Sequence, residues 1–227
     1  MATPDPNNRD LTPGRELTSD GNRRRLDILH TARELFLELG YHSTTTRKIA
    51  QAADISEALL YRYFLSKRHL FDAVIQDGLD HLQPYLQFGA PRLAGLRLRE
   101  TLEAAAYTTI EIGRRDKDII DLMVAESRML VGDRRIANLL NQLCRSIADR
   151  IDIFIAEGLA RPCNTNAFAL QFIGAIASID LMHSLFGENS LQGNSEMGID
   201  IHEYLREAVD NAAASLRPEV NPAQDPI

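Results

Sequence analysis

Residues 44 to 70 read T-T-T-R-K-I-A-Q-A-A-D-I-S-E-A-L-L-Y-R-Y-F-L-S-K-R-H-L. Their spacing describes two short helices, a tight turn between them, and the start of a third. Ile49, Ala50 and Ala53 share one face of the first helix. Ser56 is a good N-cap for the second, because its oxygen can accept one of the N–H groups a helix start leaves unpaired. Leu60 and Phe64, four residues apart, turn inward together. The outer side keeps small, hydroxylated or cationic groups: Thr45, Thr46, Arg47, Ser56, Glu57, Tyr61, Arg62 and Lys67. This is the layout of a helix-turn-helix, a motif that lays its second helix in the DNA major groove.

The same residues carry a family resemblance. Gly40-Tyr41 after an amphipathic helix, the Thr45-Thr46 pair, Ile49-Ala50, and the string Leu60-Tyr61-x-Tyr63-Phe64-x-Ser66-Lys67-x-x-Leu70 resemble the N-terminal domain of the tetracycline-repressor (TetR) family of bacterial transcriptional regulators. The likeness covers residues 22 to about 80 closely, and the remainder only in length and helical character. One position departs. The family usually has Gly in the turn where this chain has Asp54, a residue that tolerates a left-handed backbone better than most.

A chain of 227 residues holds one large domain or two small ones. Its most apolar stretch, residues 167 to 179, is interrupted by Gln171 and Ser178 and followed by Asp180, which argues against a membrane span. Residues 1 to 22 are polar and lack the apolar core of a signal peptide, so a cytoplasmic location in a bacterium is expected. Cys144 and Cys163 make neither a disulfide framework nor a metal site. The net charge of −7 is unevenly distributed. Residues 22 to 70 hold nine Lys and Arg against five acids, and the rest of the chain is acidic. Phosphate neutralisation needs a local cationic face, so the helix-turn-helix lies where the positive charge is.

Residues 1 to 21 read as a disordered tail containing Pro4, Pro6 and Pro13-Gly14. Helical spacing then runs over residues 23–39, with Gly40 as the stop. A fourth helix is capped by Ser66 and extends to about Pro84. Gly89, Pro91 and Gly95 mark a break, and further helices are expected over 93–115, 117–131, 133–158, 165–187 and 198–216. No stretch alternates as a strand would, and residues 218–227 read as a second disordered tail. The fold class is all-α. An N-terminal helix-turn-helix domain (22–80, including a connecting helix) joins a C-terminal helical bundle (81–217), to which the resemblance assigns dimerisation and ligand binding.

The resemblance assigns roles residue by residue. Thr45 or Thr46 can hold a phosphate at its helix start, and Arg47 can reach a phosphate or a guanine edge. Ser56, Glu57, Ala58 and Leu59 occupy the first turn of the recognition helix. There Ala58 permits close approach, Glu57 can accept from cytosine N4, and Leu59 can touch a thymine methyl. Tyr61 and Lys67 look like phosphate clamps, and Arg62 suits either task. Arg23, Arg24 and Arg25 can add backbone or minor-groove contacts. Each also has a plainer reading as a solvated surface group.

The family's C-terminal domain dimerises and binds an effector. The segment from Ala167 to Phe186 is apolar nearly all round and needs cover on every side. With the last helix it suggests a homodimer interface through Phe168, Phe172, Ala175, Ile179, Met182, Ile201, Leu205 and Val209. The alternative is burial of these helices within one chain. A two-fold dimer would select a pseudo-palindromic double-stranded DNA operator. For an unknown small apolar or amphipathic effector, the candidate lining is Tyr85, Phe88, Tyr107, Met123, Glu126 and Met129. Cys144 is a buried hydrophobe or a redox sensor, and Asp180 and His183 can pair across an interface. Glycine-rich phosphate loops, H-E-x-x-H, Glu-x-x-His pairs and nucleophile elbows are absent from the sequence. No cofactor, metal ligand or catalytic residue is therefore expected. The competing reading is a helical adaptor or enzyme that keeps the fold without sequence-specific DNA binding.

Overall fold

The computed structural model describes residues 19–93, 95–186 and 200–218. The described residues are helical, connected by short turns. The elements are α1 Ser19–Ser43, α2 Thr46–Ala52, α3 Glu57–Tyr63, α4 Lys67–Leu93, α5 Leu98–Arg115, α6 Lys117–Ala125, α7 Arg134–Ala156, α8 Thr165–Phe186 and α9 Ile201–Ser215. A single 3₁₀ turn, Ser127–Met129, separates α6 from α7. The two expected tails fall almost wholly outside the described residues, as do positions 187–199.

Gly40 breaks α1 as its sequence position implied, with φ 75°. Only glycine enters that region without Cβ strain. The chain is then held by Thr44, fully buried, whose hydroxyl turns to the carbonyls of Leu35 and Gly40. Asp54, in the turn between α2 and α3, sits at φ 51° and is the one non-glycine residue with positive φ among those described. Ser56 caps α3 through Leu59 N–H at 3.1 Å, and Ser66 caps α4 through His69 N–H at 3.0 Å.

Two expected boundaries move. Pro84 does not end its helix, because a proline removes one backbone bond and α4 continues to Leu93 before Gly95 turns it at φ 80°. The expected helix 117–131 is shorter: Glu126, at φ −104° and ψ 24°, leaves it, and the 3₁₀ turn follows.

Two apolar cores organise the molecule. The first joins Ile28, Phe36, Ile49, Leu60, Phe64 and Phe71 from α1 to α4. The second joins α5, α7, α8 and α9 through residues such as Leu102, Ile151, Phe172, Ile176, Leu205 and Val209. The division at residue 80 is not where packing divides. Ile119 and Leu122 of α6, and Leu130, are buried in the first core. Gly78 explains how α6 reaches it. A Cβ on Gly78 would lie 2.2 Å from Ile119 Cγ1, so a glycine lets the side chain of α6 rest on the backbone of α4.

Candidate nucleic-acid interface

The helix-turn-helix buries its inner face completely: Ile49, Leu60 and Phe64 have no exposed surface. At roughly 25 cal/mol per Å² of apolar area, that burial fixes the angle between α2 and α3. The opposite face then carries the polar side chains. Thr45 caps α2, its hydroxyl accepting from Lys48 N–H at 3.2 Å. Arg47, Ser56, Ala58 and Arg62 are exposed, and Leu59 is half-buried. Neither Arg47 nor Arg62 has an ion-pair partner among the described residues.

Three predicted residues meet. Thr46 of α2 donates its hydroxyl proton to Glu57 Oε1 of α3 at 2.5 Å, and the Tyr61 hydroxyl lies 3.3 Å from Thr46 Oγ1. A carboxylate has no proton to give, and the one on Thr46 is already committed to it. Tyr61 is therefore the donor in the second contact. The chain runs Tyr61 to Thr46 to Glu57 and ties the two helices together across the motif.

Lys67, expected as a phosphate clamp, makes structural contacts that the sequence did not reveal. Its ammonium donates to the carbonyls of Tyr41 at 2.8 Å and Thr44 at 2.9 Å, and stands 4.2 Å from the centre of the Tyr41 ring. Two of its three donors thus close the end of α1, where carbonyls lack helical partners. The N-terminal arginines diverge: Arg25 lies over the Phe64 ring, while Arg23 and Arg24 border a hollow shared with Leu59 and Tyr63.

The described members of the predicted effector lining take part in several different contacts. Tyr107 is exposed, and the Tyr85 hydroxyl accepts from Arg115 at 2.6 Å. Met123 and Met129 pack against the first core. Glu126 Oε1 accepts from Tyr41 N–H at 2.7 Å, across 85 residues of sequence. Phe88 lies outside the described side chains. Three of the predicted lining residues thus serve the contact between α6 and the first core. Nothing in their spacing distinguished that from a pocket. Burial raises the Cys144 thiol above its ordinary range, which keeps it protonated.

The predicted dimer residues divide between core and surface. Phe172, Ile179, Leu205 and Val209 are all about 95% buried or more in the chain's own second core. Phe168, Ala175, Met182 and Ile201 keep partial exposure. The outward side of α8 carries Leu170, Gly174, Leu181 and Leu185 instead. A helix apolar on every side does not announce which side its own chain covers. Beside that face runs a groove between α8 and α9, lined by Phe168, Ala175, Tyr204, Ala208 and Ala212. No helix among the described residues is long and apolar enough to cross a membrane. No cluster of His, Cys, Asp and Glu among them could hold a metal.

The described residues are helical and carry a helix-turn-helix near their start, and known proteins match it there. Residues 28–74 match the family described as bacterial regulatory proteins, tetR family. The HTH-type transcriptional repressor KstR2 of Rhodococcus jostii (strain RHA1) is 35% identical over 126 residues, covering 54% of this chain and 59% of that protein. The chain spans about half the length of several other curated relatives it matches. A TetR-family transcriptional regulator of Mesorhizobium loti MAFF303099 superposes with a TM-score of 0.66 at 20% identity, over 88% of this chain and 97% of that one. AibR, in complex with isovaleryl coenzyme A and operator DNA, superposes with a TM-score of 0.56 at 20% identity, over 86% and 98%. Residues 28–74 are thus similar to the tetR family of bacterial regulatory proteins, and the fold of the described residues is similar to that of solved regulators of this kind.

Proposed function

We propose that this chain is a transcriptional repressor that binds a pseudo-palindromic operator as a homodimer and is released by a small effector. The observation that carries the reading is the two-sided build of α2 and α3. One side is sealed apolar core, and the other presents Thr45, Thr46, Arg47, Ser56, Ala58, Leu59, Tyr61 and Arg62 on a locally cationic segment. In this reading the first turn of α3 meets base edges, while Tyr61, Arg47 and the free donor of Lys67 meet phosphates. The outward leucines of α8 and the adjoining groove with α9 form the self-interface, which sets the spacing of two readers. Repression follows KstR2, which is a repressor, and a small-molecule ligand follows AibR, which is found with both isovaleryl coenzyme A and operator DNA.

Selection of bound sequences from a random DNA pool tests it. The expected product is a two-fold symmetric consensus whose affinity falls steeply with salt, because phosphate contacts release counterions. A pool that shows no enrichment, with or without acyl coenzyme A ligands present, would rule the reading out.

A further inference from the structure

Resting on the DNA-binding reading above, we infer that Glu57 is a positioning residue that presets Tyr61 through Thr46, and that it does not read a base. Three observations support this. The carboxylate is half-buried and turned back toward α2, with Oε1 already engaged by Thr46 at 2.5 Å. Because Thr46 donates to Glu57, its oxygen is left as an acceptor, and among the described residues the hydroxyl within reach is that of Tyr61. Tyr61 is itself 45% exposed on the outer face, so its position there depends on this chain of hydroxyls.

The chain has a direction. Tyr61 gives its proton to Thr46 at 3.3 Å, a long and therefore weak contact, and Thr46 gives its own to Glu57 at a short one. A phosphate oxygen arriving at Tyr61 takes over the weak donation and leaves the strong one intact. No bond to Glu57 has to break for the duplex to dock. A free carboxylate beside a phosphate backbone would be repelled. One anchored by Thr46 stays withdrawn, and its cost is offset before DNA arrives. Glu57 therefore acts on binding strength at every sequence alike.

The experiment compares Glu57→Ala with Glu57→Gln on the selected consensus and on its single-base-pair variants. Both substitutions remove the same charge, but glutamine keeps an oxygen that accepts from Thr46. Their difference therefore isolates the hydrogen bond. Glu57→Ala is expected to bind about 10-fold more weakly than Glu57→Gln, as one hydrogen bond lost from an ordered chain predicts. The ratio of consensus to variant affinities should be unchanged in both. Tyr61→Phe should erase the difference, since the last donor is then missing; circular dichroism confirms that each variant is folded. Equal binding by the two variants overturns the assignment, as does altered preference at one base pair. Should the wild-type protein select no sequence at all, the DNA-binding reading falls first and takes this assignment with it.

Discussion

Lys67 and Glu126 hold one residue between them. The Lys67 ammonium takes the carbonyl of Tyr41 at 2.8 Å, and the Glu126 carboxylate takes its N–H at 2.7 Å. The first comes from α4 and the second from the end of α6, so the close of α1 is gripped by two elements far apart in sequence. The Tyr41 ring adds edge-to-face contact with Phe71 at 5.1 Å between centres. A charged donor and a charged acceptor each contribute more than a neutral partner would.

Replacing Lys67 by Met keeps much of the side chain's bulk and removes the ammonium. The carbonyls of Tyr41 and Thr44 then lose their partner, and unfolding in urea should show a loss of about 1.5–3 kcal/mol. Lys67 would thereby affect DNA binding through stability as well as charge. Undiminished stability would leave the phosphate clamp as its sole duty.

Gly78→Ala should destabilise the protein by about 1–3 kcal/mol, because the new methyl collides with Ile119 at the crossing of α4 and α6. Combined with Ile119→Ala the two losses should not add, since the second removes the atoms the first strikes. Thermal or chemical unfolding of the three variants decides it. Strict additivity would mean that α6 had shifted away.

Acid sensitivity has a specific source in Asp133. The side-chain hydrogen bond from Arg135, at 2.6 Å, holds its carboxyl below the ordinary aspartate range, against the opposing effect of burial. A carboxyl with a depressed folded value stabilises fully above about pH 4, and the contribution disappears as pH falls through the lower value. Asp133→Asn keeps an acceptor to cap α7 but removes this term. It should lower the melting temperature at neutral pH and flatten the acid limb of the stability curve.

Leu181→Glu places a charge on the outward face of α8 without touching the core, as Leu181 is 40% exposed. Sedimentation should show a monomer with unchanged melting of the single subunit. An unaffected dimer would move the self-interface elsewhere.

The helix-turn-helix was legible because its signals are local. Ser56 and Ser66 cap helices that begin one residue later, Asp54 takes the left-handed turn, and Leu60 and Phe64 share a face by spacing alone. The second half was legible as helices but not as surfaces. On α8, Phe172 and Leu170 are both large and apolar two residues apart, yet one lies in the chain's core and the other faces outward. That choice depends on where α5, α7 and α9 pack, which no short window contains. Glu126 shows the same limit. Its partner is 85 residues away, so a carboxylate among methionines was equally consistent with a ligand pocket.

The burial of Ile119, Leu122 and Leu130 alongside Phe36 and Phe71 bears on how this protein can be cut and recombined. A fragment ending with α4 would expose the apolar floor that α6 covers, and would not stand as a unit. Grafting this helix-turn-helix onto another protein of similar fold would require carrying along residues 117–130, or matching them. The graft's working seam lies after the 3₁₀ turn, well past the point where the reader's own helices end.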